Sequence, residues 1–84
     1  MSPVRPLYYT YVLKSIETGE LYTGATKNVE KRFAEHNDGL VRSTKHKRPL
    51  NLIYYEACLN KDDAFRRERY LKTGMGKRYI LETE

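Results

Sequence analysis

A chain of 84 residues with one cysteine, Cys58, holds neither an internal disulfide nor a cysteine-built zinc cage. A reducing compartment, the cytoplasm, is the expected setting. Nowhere do apolar residues run for the roughly 18 positions a membrane helix needs, and the N-terminal stretch lacks the apolar centre of a secretory signal. A soluble protein with no membrane partner is therefore expected. Linkers, repeats and low-complexity tracts are also absent. The length leaves room for one domain over residues 1–84, because two would each lack a workable core. A chain this short removes only about 60–65% of its surface from water on folding, so few polar groups can lie inside it without a reason.

What is present begins with charge. Sixteen Lys and Arg stand against 11 Asp and Glu, a net charge of +5, which points to polyanionic partners, nucleic acid first, although a solvated basic surface gives a similar balance. The cations cluster. Arg42, Lys45, Lys47 and Arg48 share one segment, and Arg66, Arg67, Arg69, Lys72, Lys77 and Arg78 share another.

Residues 7–14 are rich in aromatic and β-branched types, and residues 21–25 repeat that character after Glu17-Thr18-Gly19-Glu20, a hairpin signal. With the loop over Ser15 to Glu20, Lys14 faces Leu21 and Leu13 faces Tyr22. Tyr11, Leu13, Tyr22 and Gly24 then share one face of the hairpin. Helical spacing follows over Val29 to Asn37, with cap side chains in Thr26-Lys27-Asn28 before it and Gly39 after it. On that helix Arg32 and His36 are neighbours, and His36 borders the Val29 and Phe33 stripe. A polar, basic loop over 38–49 leads to a third strand, Leu50 to Ala57. Asn60 then opens a helix to about Lys72; Gly74 and Gly76 are read as breaking it, and Lys77 to Leu81 as a last short helix. The expectation is an α+β fold, a three-stranded antiparallel sheet flanked by helices in the order ββαβαα.

Several side chains in this frame could carry chemistry, and each has an ordinary alternative. Tyr11 and Tyr22 could be strand packing in a chain with 8 tyrosines. Arg32 could be a surface arginine or a planar fork for a phosphate. His36 could be a half-buried imidazole satisfied by backbone, or a proton carrier. On the 61–72 helix the inward stripe is read as Ala64, Phe65 and Leu71, with Glu68 inside it. A carboxylate there must be paired or must bind a cation, so Glu68 reads either as an ion-pair partner of Arg32 or a capping group, or as a ligand to a divalent metal.

Taken together, these positions resemble the GIY-YIG nuclease superfamily, and look closest to its small standalone members. Tyr9-Thr10-Tyr11 stands where that family has its first triplet and Tyr22-Thr23-Gly24 where it has the second. Arg32 and His36 match the helix pair, Glu68 matches the acidic position, and Lys45-His46-Lys47-Arg48-Pro49-Leu50 matches a segment shared by small members. The chain departs from the pattern in places: Tyr9 and Thr10 replace the Gly and Ile of the first triplet and Thr23 the central Ile of the second, which are mostly packing positions, while Leu71 to Glu84 contains no Asn and Ser43 or Thr44 stands where some relatives carry a loop tyrosine. The resemblance implies a metal-dependent endonuclease acting on nucleic acid, DNA in the first place, in repair or recombination. One Mg²⁺ or Mn²⁺ would be held by Glu68. Arg32 would stabilise the transition state, Tyr11 would act as base assisted by His36, and Tyr22 would orient the phosphate. Gly24 would let substrate approach, and Arg42, Lys45, Lys47, Arg48 and Lys72 would track the backbone. Alternatives left open are a catalytically silent nucleic-acid binder of the same fold and a docking module. A protein partner or a homodimer is also left open.

Overall fold

The computed structural model of the protein describes residues 7–83; the first six residues and Glu84 of the expected domain lie outside them. The element order is β1 (Tyr8–Ser15), β2 (Leu21–Thr26), α1 (Val29–Asn37), β3 (Leu50–Cys58), α2 (Lys61–Leu71) and α3 (Gly74–Thr83), with a single 3-10 turn at Lys45–Lys47. This is the expected α+β order ββαβαα. The strands pair antiparallel with β1 in the centre, β2-β1-β3.

The hairpin register is the one the alternation dictates: Lys14 pairs with Leu21, Leu13 with Tyr22 and Tyr11 with Gly24. As the central strand, β1 is covered on both faces and its burial does not alternate. Tyr11 and Leu13 pack with Leu50, Phe33 and Leu52 on one side. Val12 packs with Leu71 and Ile80 on the other. Thr10, wholly buried, donates its hydroxyl to the Ala64 carbonyl at 2.9 Å and so pins α2 to the centre of the sheet. Each of the first two helices starts at an asparagine. Asn28 Oδ1 accepts from the Lys31 amide at 3.0 Å and Asn60 Oδ1 from the Asp63 amide at 2.9 Å, satisfying donors that the first turn leaves unpaired.

Two readings of the C-terminal half are corrected. Phe65 does not face inward; it is 45% exposed, whereas Ala64 and Leu71 are buried. At about 100° per residue Phe65 sits roughly 100° from Ala64, while Glu68 is only about 40° away, so the carboxylate lies in the stripe that Phe65 misses. The glycines also do something other than end a helix. Gly74 opens α3 and Gly76 lies within it. A Cβ on Gly76 would stand 2.5 Å from the Leu71 Cα and 2.9 Å from the Tyr70 carbonyl carbon, so the glycine lets α3 fold back against the end of α2 and bring Ile80 to the core.

Gly76→Ala should therefore cost about 2 kcal/mol or more, a fall in Tm of roughly 10 °C. Gly74→Ala, whose Cβ meets nothing within 4 Å, should leave Tm unchanged or slightly raised; thermal unfolding of the two variants checks the contrast.

Candidate active site

The side chains singled out in the first half converge on the α1 side of the hairpin. Tyr11 and Gly24 are paired residues of β1 and β2, and a Cβ on Gly24 would stand 2.5 Å from Tyr11 Oη. The Tyr11 ring therefore crosses the adjacent strand over the glycine. The glycine's empty side is filled first by that phenol, not by open space for a substrate. This crossing brings Tyr11 Oη to 2.9 Å from His36 Nε2. Tyr22, two pairs along the hairpin and so on the same face, places its ring centre 4.9 Å from the His36 ring and 6.4 Å from that of Tyr11.

His36 is wholly buried and bonded at both nitrogens. Nδ1 lies 2.7 Å from Thr44 Oγ1, and the Thr44 hydroxyl in turn reaches the Val41 carbonyl at 3.5 Å. With the Thr44 proton directed to that carbonyl, Thr44 accepts from Nδ1–H and Nε2 accepts from the Tyr11 hydroxyl. This assigns the tautomer from hydrogen-bond polarity. Burial, with the nearby Arg32 charge, pulls the His36 pKa down to about 4, so the ring is neutral at ordinary pH. Thr44 is the residue that sequence reasoning underweighted. It sits in a polar, basic loop with nothing in its surroundings to signal burial.

Arg32 and Glu68 act on the same phenol from other elements. Burial pushes the Tyr11 pKa up to about 12, the Arg32 guanidinium opposes that rise and the Glu68 carboxylate adds to it. Arg32 is held on its outer side by Glu35, 3.0 Å from Nη1, and interaction with Glu35 and Tyr11 keeps its pKa raised. The expected alternative, a Glu68–Arg32 ion pair, is not what forms: Glu68 pairs instead with Lys72 at 2.9 Å, one turn later on the same face. Glu68 remains 18% exposed. Among the described residues no group of three or more His, Cys, Asp or Glu side chains could hold a metal, and Glu68 is the carboxylate that the family resemblance would put on a cation. One carboxylate fits a water-rich ion such as Mg²⁺ or Mn²⁺ better than a metal needing a full protein cage.

Comparison with known families decides what this arrangement belongs to: the model of the GIY-YIG catalytic domain matches residues 7–79. The chain belongs to the GIY-YIG family. That family is a nuclease superfamily. Relatives include a UPF0213 protein of Desulfotalea psychrophila, 37% identical over 81% of this chain and 63% of its own length. One of Staphylococcus haemolyticus is 45% identical over 79% of this chain and 80% of that protein. The solution structure of a UPF0213 protein from Bacillus halodurans superposes with a TM-score of 0.56 at 27% identity, covering 93% of this chain and 85% of that one.

The basic residues of this GIY-YIG chain are unequally free. Arg42 and Lys45 are exposed on either side of Thr44, so their loop is tied to the site through the His36–Thr44 bond. Arg48 instead closes the end of α1, donating from Nε to the Lys45 carbonyl at 2.7 Å and from Nη1 to the Asn37 carbonyl at 3.3 Å. Lys47 lies 4.0 Å from Glu20. Arg67, a member of the second basic cluster, is half-buried and bonded to Glu56 at 2.9 Å.

A neutral, buried His36 sets the sign of a pH effect. Its native pKa lies below the unfolded value, so its contribution is complete above about pH 6.5 and is lost as pH falls towards 4. The loss is on the order of 3 kcal/mol. Urea titrations between pH 7 and pH 4 should show this decline, and His36→Gln should flatten it.

Proposed function

We propose that the chain is an endonuclease, dependent on one divalent ion, that hydrolyses phosphodiester bonds in nucleic acid, with DNA as its substrate. The observation that carries this reading is the Tyr11 phenol, bonded to His36 Nε2 at 2.9 Å, with the Arg32 guanidinium opposing and the Glu68 carboxylate adding to the rise that burial gives its pKa. A buried tyrosine with a base on one side and a cation on the other is arranged for proton transfer beside an anion, which strand packing alone does not require.

Glu68 would hold Mg²⁺ or Mn²⁺, which when bound supplies positive charge to the phosphate oxygens and lowers the pKa of nearby water. Arg32, positioned by Glu35, turns its remaining N–H donors towards the phosphate and meets the charge that grows on it in the transition state. Tyr11 takes the proton of the attacking water as its own phenolic proton passes to His36 Nε2. The water oxygen forms a bond to phosphorus as the bond to the leaving deoxyribose oxygen breaks, and that oxygen takes its proton from solvent. Free of substrate, Tyr11 holds its proton tightly at a pKa of about 12. The positive charge brought by the ion and Arg32 favours loss of a proton from the water and the phenol, while the Arg32 charge works against its arrival on His36. Tyr22, beside both rings, orients the phosphate, and Arg42 and Lys45 follow the backbone without reading bases.

A second reading, a silent nucleic-acid binder, draws on one observation: the Lys72 ammonium already occupies Glu68. An ion must displace it to bind. With its Lys72 end half-exposed and the partners only one turn apart, that pair competes weakly with a divalent charge.

Cleavage of labelled DNA in Mn²⁺ or Mg²⁺ separates the two. The nuclease reading expects products whose rate falls roughly a hundredfold or more in Glu68→Ala and in Arg32→Ala, with folding intact by circular dichroism. Salt-sensitive, metal-independent binding without product in any divalent ion supports the silent binder instead.

A further inference from the structure

The α1 side of the sheet carries a second feature, away from His36 and Glu68. Tyr9 of β1 and Tyr55 of β3 meet edge to face, ring centres 6.2 Å apart, and Tyr55 is 57% exposed. Together with Leu52 and Val29 they line an open groove of about 390 Å³ that also takes in Lys27 and Asn28. A neighbouring groove of similar volume shares Lys27 and Asn28 and runs on past Lys31 to Arg32 and Glu35. The two form one path from the exposed tyrosine face to the guanidinium assigned to the scissile phosphate.

The chemistry along this path changes in order. Its far end offers aromatic and aliphatic faces, its middle two lysines and its near end Arg32. The acids on its walls are Glu30 and Glu35, and Glu35 is already tied to Arg32 at 3.0 Å. A flat ring with an anionic group beside it matches this sequence of surfaces. A folded duplex does not, because its bases are stacked inside and cannot offer a face to Tyr55. Exposed tyrosine faces beside a cationic track are how unpaired strands are held without regard to sequence.

We infer that the Tyr9–Tyr55 groove takes an unpaired base of a single DNA strand adjoining the cleavage point, with Lys27 and Lys31 on its backbone phosphates. The substrate class is then DNA with a single-stranded segment, such as a flap, bubble or free end. This rests on the nuclease reading for the meaning of Arg32, but its test does not require turnover.

The test is binding in EDTA to three fluorescein-labelled probes: an eight-residue oligothymidylate, an abasic strand of the same length and a blunt duplex. The expected result is about tenfold tighter binding of oligothymidylate than of the abasic strand. Tyr55→Ala should remove that preference and Tyr55→Phe should keep it. Equal binding of thymidylate and abasic strands by the unaltered protein overturns the inference, as does a preference that survives Tyr55→Ala. If Tyr55→Ala does not fold, amide shift mapping with oligothymidylate decides. Changes centred on Tyr9, Lys27 and Tyr55 support the groove, and changes confined to other surfaces overturn it. Failure of the nuclease reading shows separately, as absence of cleavage in Mn²⁺.

Discussion

The Tyr11 phenol occupies the volume that any side chain at position 24 would need, and the arrangement on the α1 face follows from that crossing. Because residue 24 is glycine, a tyrosine on the central strand can lay its ring over the outer strand and put its hydroxyl against an imidazole on the next helix. The hairpin register makes Tyr11 and Gly24 partners, the Asn28 cap fixes where α1 starts, and His36 then falls on the turn that faces the phenol. A one-residue slip of the hairpin would send Tyr11 to the opposite face and leave His36 buried with Nε2 unpaired.

Electrostatically, the site is a set of charges each held by a neighbour that is not itself central to it. Arg32 is anchored by Glu35 and Glu68 by Lys72. His36 carries no charge and is locked by Thr44. Burying a neutral imidazole with both nitrogens bonded avoids the penalty of an unpaired buried charge. The two charged residues stay at the rim, where solvent and substrate can reach them. In the proposed reaction the tight interior would carry the proton path, and the looser rim would meet phosphate and ion. The tyrosine groove continues that rim along the same face.

Much of this was legible in the chain because local rules and tertiary packing agree there. The β1–β2 register follows from strict alternation about a short loop. The bounds of α1 follow from Asn28 and Gly39, and Asn60 marks the start of α2. The C-terminal half was less legible because the deciding contacts are between elements. Gly76 reads locally as a breaker, yet its lack of a side chain serves the closeness of α3 to α2 and leaves the helix intact. Phe65 is apolar and adjacent to Ala64, but the sheet meets the helix through Ala64 and Leu71, leaving the ring outside. Thr44 lies among exposed cations, and nothing near it in the chain reports that it reaches His36. The Arg32 alternative for Glu68 does not form, because Arg32 is engaged by Glu35 on its own helix.

Whether Glu68 and the Tyr11 centre work as one site is tested most directly by paramagnetic broadening. Mn²⁺ is added to isotopically labelled protein bound to a DNA whose phosphorothioate linkage resists cleavage. The account predicts that signals of Glu68, Tyr11 and Arg32 broaden together at substoichiometric Mn²⁺, and that the effect disappears in Glu68→Ala. Broadening centred elsewhere, or unchanged in Glu68→Ala, would contradict it.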